Sequence, residues 1–375
     1  MMSEEGIKNL WEWVDKTYVQ PEVQRRRQND LLPDDFKIRQ FRILMPKNRE
    51  VIVQFNDEID WIANAKRGDG QEFIMNTPVY IYELDKIESV EPPQVNGERT
   101  AFIFFGWDGN QYQGCFEFSP NWTEEERIAH GLAKDDEWTL NPFLTHFLQG
   151  RIEEKAAQMC LDNKDLLRSF GLWLVPILIP YPLAQIAEYL NLNNEETARN
   201  LLVAFCNSEF LEKLVSAWWH IQEFQFRRSL IEEALWAHKE RKYHLSVSTL
   251  LPHIEGIIVH WEFNQGMNTR FRAESRIKDF QNTTQGEAKS PFLYNSVHGT
   301  TIDFILTGPV LSTFQNWQDD LDPAFPNRNA IGHGRYEPFL FTEEASIKVF
   351  LLLDTVKQLI AAQNQNLLNT EGDTN

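Results

Sequence analysis

The chain has 375 residues, 42% hydrophobic and 24% charged, which is length enough for two or three domains with cores of their own. A formal net charge of −19 excludes a protein that coats nucleic acid over its whole surface. Cys115, Cys160 and Cys206 are far apart and odd in number, which excludes a disulfide framework or a Cys-x-x-Cys metal site.

The N-terminal residues are acidic and lack the apolar core of a signal peptide. The most apolar stretch, 170–190, is interrupted by Pro176, Pro180 and Pro182, so it reads as a buried, kinked segment rather than a membrane span. A cytoplasmic protein without membrane contact is expected. The acidity is uneven: residues 1–223 carry −15 and residues 224–375 carry −4, and within the latter 224–290 is net +2. A polyanion would therefore be met by the C-terminal third.

In chain order, residues 1–30 read as helix and end on Arg25, Arg26 and Arg27, a charged helix end. Phe36–Met45, Glu50–Phe55, Pro78–Leu84, Ala101–Gly106 and Tyr112–Phe118 are short β-branched or aromatic runs separated by turn signals, and they predict strands. Asp57, Glu58 and Asp60 read as a solvated turn. Thr123 and Glu126 form a capping box opening a helix. Helices are expected over Pro142–Asn163, Leu183–Leu190, Asn194–Cys206 and from Asn207 to about His220.

The C-terminal third is the most regular. Arg227–Lys242 reads as a helix. The next carries Val247, Leu250, Leu251, Ile254, Ile257, Ile258 and Trp261, the stripe of a helix buried on one face, with Pro252 as a kink. A basic insertion follows, with Arg270, Arg272, Arg276 and Lys278. Thr301–Trp317 reads as a helix bent at Gly308-Pro309. The last helix, about Thr342–Gln363, presents Val349, Leu352, Leu353, Val356 and Leu359 or Ile360. Four such helices can bury one another's stripes as a bundle.

Between the last two helices stand Arg328, Asn329, Ala330, Ile331, Gly332 and His333, followed by Gly334. An Arg, a polar residue, a His five positions after the Arg, and a long apolar helix beyond resemble the HEPN superfamily. The upstream run Leu250–Ile258 is similar to the second bundle helix of bacterial HEPN-type proteins. The resemblance covers roughly 224–363. It implies metal-independent endoribonuclease activity without a cofactor, with Arg328, His333 and Asn329 as catalytic residues. It also implies a homodimer in which two Arg/His sets face each other, a toxin or phage-defence setting, and an antitoxin or regulatory partner.

The chemistry suits these residue types. RNA cleaves when its 2′-hydroxyl attacks the adjacent phosphate. An imidazole ordinarily titrates near neutrality, so it can take the 2′-proton or protonate the leaving 5′-oxygen. A guanidinium can hold two phosphate oxygens and stabilise the charge that develops on them. On a straight helix the five-residue step sets Arg328 and His333 about 140° apart and about 7.5 Å along the axis, a splay that Gly332 would relax. Glu255 borders the apolar stripe of its helix, where a carboxylate needs a partner, and Arg328 is a candidate for it.

Plainer readings stand beside these. Arg328 could enter a helix and pair with Asp320 or Asp322, and His333 could be a turn residue. The Arg270–Lys278 cluster could be a solvated loop instead of an RNA contact. His253 and His260 lie seven apart on one helix, and no histidine shows metal-ligand spacing with carboxylates. The alternative function is a non-catalytic HEPN-like module for RNA or nucleotide binding or for dimerisation. The expected fold class is α+β and multidomain. An α+β or mostly-β domain occupies 1–140, a helical linker or middle region 141–222, and a HEPN-like bundle of four to five helices 223–363. A disordered tail follows at 364–375.

Overall fold

The computed structural model describes residues 11–33, 35–46, 49–70, 80, 83–91, 93–107, 112–117, 142–266, 299–305, 308, 310 and 321–372. The chain has mixed α+β content, a small sheet followed by many helices. It divides into two compact units: Met1–Lys66 with Lys86–Arg151, and Arg67–Asp85 with Ile152–Asn375.

The first unit holds an antiparallel sheet in the order β2-β1-β7-β8. Its strands are β1 (Gln40–Met45), β2 (Ile52–Phe55), β7 (Ala101–Trp107) and β8 (Tyr112–Glu117). Register is set by the pairs Ile43–Val53 and Ile43–Ile103. Phe41, Ile43, Val53, Phe55, Ile103 and Phe105 face Val14, Val19 and Val23 of the N-terminal helical segment, which ends in α1 (Gln20–Gln28). Alternate residues face the other way. Phe104 meets Phe147 edge-on at 5.3 Å, and Trp61 at 5.4 Å. Burial on both faces explains why β7 reads as an unbroken apolar run.

Glu58, expected in a solvated turn, pairs with Arg26 and accepts the Phe55 N–H. Two strands were not anticipated from the sequence, β3 (Ala63–Arg67) and β4 (Leu84–Val90), which pair with each other. β3 is alanine, asparagine and charge, and β4 carries Asp85, Lys86 and Glu88, so propensity conceals them. A further short pair, β5 (Gln94–Val95) and β6 (Glu98–Arg99), forms a hairpin. The Thr123 capping box lies outside the described residues.

Helices α2 (Pro142–Asp162), α3 (Lys164–Ser169), α4 (Leu183–Asn191), α5 (Glu195–Phe205), α6 (Ser208–Ser216) and α7 (Gln222–Gln225) follow. Asn194 and Asn207 cap α5 and α6, each side chain accepting a backbone N–H of the first turn. The apolar stretch after Phe170 is buried, with a 3₁₀ turn at Pro176–Leu178. No helix among the described residues is long and apolar enough to cross a membrane.

α8 (Arg228–Lys239), α9 (Tyr243–Leu250) and α10 (His253–Asn264) come next. The stripe from Val247 to Trp261 is buried as expected. It belongs to two helices and not one, because the chain breaks at Leu251-Pro252. Residues 299–305 are helical. The rest of the helix expected to Trp317 lies outside the described residues, apart from 308 and 310. α11 is the short Arg328–Gly332 helix and α12 the long Glu343–Gly372 helix.

α12 differs from expectation in two ways. It runs to Gly372, so the disordered tail expected at 364–375 is helical through 372. It is also buried all round over 345–356, where a single stripe was expected. A helix apolar on every side is a central helix, and α12 packs against α5, α6, α9 and α10. One core accordingly joins residues from Ala156 to Ile360. The stretch 141–222, read from the sequence as a helical linker or middle region, supplies Leu202, Leu211 and Trp218 to that core alongside Leu250 and Ile257 of the expected bundle.

Several polar side chains inside this core are hydrogen-bonded to one another. Asp354 accepts the Trp218 indole N–H at 2.8 Å, and Thr355 accepts that of Trp173 at 3.2 Å. Ser346 lies 2.9 Å from both His238 Nδ1 and Ser246 Oγ. Desolvation pushes the His238 imidazole down to about 4, so it sits in this network as a neutral ring.

Candidate functional site

The candidate motif is built on α11. Asn327, itself buried, caps the helix by accepting the Ala330 N–H at 2.8 Å. The Arg328 N–H is anchored to the Val310 carbonyl at 3.0 Å. The helix ends because Gly334 adopts a left-handed φ of +77°. The Arg335 N–H then reaches the Ala330 carbonyl at 2.9 Å and the Gly334 N–H reaches Ile331 at 3.0 Å, the paired closing bonds of a glycine C-cap. Gly332 stays helical. It does not relax the spacing as the sequence suggested, and the break comes two residues later. Arg328 and His333 therefore stand at opposite ends of five helical residues, His333 being the C-cap.

Arg328 Nη2 lies 2.7 Å from Glu255 Oε2, the two side chains being 33% and 18% exposed. Glu255 projects from the flank of α10 beside its buried stripe. Asp322, the other carboxylate considered for Arg328, accepts the Ala324 N–H instead, and Asp320 lies outside the described residues. His333 is exposed and Asn329 half-buried. None of the four is sunk in an apolar core, so the cation, the carboxylate and the imidazole are all within reach of solvent.

The segment leading into the motif is fixed from below by Lys348, a residue the sequence did not single out. Its ammonium group is almost wholly buried, 2.5 Å from Glu344 Oε1. It donates to the Phe170 carbonyl and, at 2.9 Å, to the Ala324 carbonyl. Burial lowers its proton affinity while Glu344 opposes that shift. Glu344 is shared with Arg199, whose Nε lies at 2.6 Å. Gly171 makes the crossing possible, since a Cβ there would stand 1.9 Å from the Ala324 oxygen.

The other flank of α10 carries a second polar group. Arg227 bonds the Gly256 carbonyl and His260 and lies near His253. The seven-residue spacing of the two histidines was visible in the sequence, but the arginine between them was not.

Among the described residues no three His, Cys, Asp or Glu side chains gather as a metal-binding group. Burial pushes the Cys160 thiol up to about 12 and raises Cys206 as well, so neither supplies a thiolate near neutral pH. Arg270, Arg272, Arg276 and Lys278 lie outside the described residues. No family model, no curated protein and no solved structure matches the chain.

Proposed function

We propose that the helical region is a HEPN-like domain that cleaves RNA without a metal ion, as a homodimer. The observation that carries this reading is the ion pair between Arg328 and Glu255, which ties the motif helix to the run that resembles the second bundle helix. It leaves His333 exposed at the far end of α11.

In this mechanism Glu255 holds one edge of the Arg328 guanidinium and orients the remaining N–H donors toward a phosphate. The 2′-oxygen of the RNA attacks phosphorus, the bond from phosphorus to the 5′-oxygen breaks, and the products are a 2′,3′-cyclic phosphate and a 5′-hydroxyl. His333 either removes the 2′-proton or protonates the 5′-oxygen. Two protomers facing each other supply both roles from two histidines. Asn329 orients the phosphate or the imidazole. The sheet-containing unit would then receive a trigger, an antitoxin or a regulatory partner, within a toxin or phage-defence setting.

The test is incubation of the purified protein with a mixed RNA pool in EDTA, beside a His333→Ala variant. Loss of cutting in the variant, with cyclic-phosphate ends in the wild type, supports the reading. Equal cutting by both, or by neither, retires it.

A second reading draws on the same ion pair. A guanidinium already neutralised by a carboxylate also suits a non-catalytic module that binds RNA or nucleotide, or that dimerises. In that case RNA is left intact by both proteins.

A further inference from the structure

The flank of α10 opposite Glu255 carries a cation with no carboxylate bonded to it among the described residues. Arg227 Nη1 donates to the Glu223 carbonyl at 2.8 Å, and Nη2 donates to the Gly256 carbonyl at 2.8 Å. Nη1 also stands 3.3 Å from His260 Nδ1. A guanidinium can only donate, so His260 Nδ1 accepts and its other nitrogen carries the proton. All three acceptors are neutral. The nearest carboxylate, Glu223, is buried and accepts from Asn264 Nδ2 at 2.8 Å.

His253 lies one turn before Gly256 on the same flank. Burial and the Arg227 charge together lower its proton affinity. Next to this group is an aromatic ring in solvent. Phe226 is 78% exposed. Its ring meets His260 edge-on at 5.4 Å and lies 5.7 Å from the Arg227 guanidinium carbon. Phe263, three positions after His260 and hence its neighbour on the helix surface, is exposed too.

We infer that this flank binds a nucleotide unit of single-stranded RNA, with its phosphate on Arg227 and the two imidazoles and its base stacked on Phe226. The ligand class is taken from the ribonuclease reading above. Three features favour it over a purely structural arginine. Every acceptor bonded to the guanidinium is neutral, and the Glu223 carboxylate attracts it without a hydrogen bond between their side chains. The side chains gathered here, Arg227, His253 and His260, are a cation and two imidazoles in a chain of net charge −19. And an exposed ring beside a guanidinium is the pairing that holds bases of an unpaired strand without regard to sequence. Glu255 and His260, five residues apart, stand about 140° apart around α10, a helix roughly 10 Å across. A strand passing over α10 would therefore meet a capture site on one side and Arg328 on the other.

The test uses the full chain carrying His333→Ala, so that the strand survives, with a fluorescent 12-nucleotide mixed-sequence RNA in EDTA. Phe226→Ala removes a solvent-exposed ring and leaves the core intact; it is expected to weaken binding by about tenfold or more. Phe226→Trp retains binding. Arg227→Ala is expected to weaken binding and to lower the salt dependence by about one counterion. Thermal melts identify any variant that fails to fold. A duplex of the same length should be indifferent to Phe226.

Single-strand binding that is unchanged by Phe226→Ala overturns the inference, as does failure of the His333→Ala protein to bind the RNA at all. Cleavage is scored separately with His333 intact. Phe226-dependent binding without cleavage keeps this site and retires the ribonuclease reading; cleavage with Phe226-independent binding does the reverse.

Discussion

Arg328 and Glu255 meet at 2.7 Å with 72 residues of chain between them, joining the five-residue α11 to α10, the second of the two helices that share the buried stripe. Both side chains are partly exposed, so Coulomb attraction is moderated by solvent. A double-mutant cycle of Arg328→Ala and Glu255→Ala is expected to give a coupling of about 1 kcal/mol, read from thermal or urea unfolding. Additive losses would show that the two side chains do not depend on each other.

The same pair has a kinetic consequence. If Arg328 stabilises transition-state charge, Arg328→Ala should lower the cleavage rate by roughly 10²–10³-fold. Glu255→Gln keeps the shape and removes the orienting charge. It should lower kcat by a smaller factor and leave KM nearly unchanged. A Glu255→Gln effect confined to KM would point to strand binding in place of transition-state orientation.

Lys348 is nearly wholly buried against Glu344 and two carbonyls. Lys348→Met should destabilise the protein by about 3 kcal/mol, even though Arg199 still covers Glu344. Because the Ala324 carbonyl loses its donor, the segment before Arg328 should become more susceptible to hydrogen exchange. Protection unchanged at 324–328 would show that the motif is held by α11 alone.

Three glycines should respond differently to alanine. Gly171→Ala forces a Cβ to 1.9 Å from a backbone oxygen at φ +81° and should cost several kcal/mol or prevent folding. Gly334→Ala meets nothing within 4 Å but keeps φ +77°, so it should cost about 1 kcal/mol and disturb His333 next to it. Gly332→Ala is helical and unobstructed and should stabilise by about 0.5–1 kcal/mol. Melting temperatures of the three variants check the order.

His238 gives a pH dependence whose sign is fixed. Its folded value of about 4 lies below the ordinary imidazole value of 6.5, so the unfolded chain binds the extra proton first. Stability from this group is complete above about pH 6.5 and is lost as pH falls through about 4, by up to about 3 kcal/mol. His238→Gln should flatten the stability profile in that window. An unchanged profile would mean that other groups govern acid unfolding.

Much of the fold was legible because local chemistry specified it. Asn194 and Asn207 announce helix starts, and the unbroken apolar run from Ala101 marks a strand buried on both faces. The stripe from Val247 to Trp261 marks a buried face. Pro252 signalled a disturbance, though not that it would divide the stripe between two helices. β3 and β4 were hidden, since a short, charged ladder lacks the apolar alternation that reveals a strand.

What the sequence determined by itself is the Arg328–His333 spacing, the glycine that ends α11, and the need of Glu255 for a partner, because each rests on residues close in the chain or on the cost of an unpaired carboxylate. Tertiary structure alone decided that Arg328 pairs with Glu255, while Asp322 accepts the Ala324 N–H. It also decided that α12 is central, with helices before residue 222 covering it, and that Lys348 and Arg227 matter. Those facts depend on which faces of distant helices meet, and periodicity shows that a face is buried without showing what buries it.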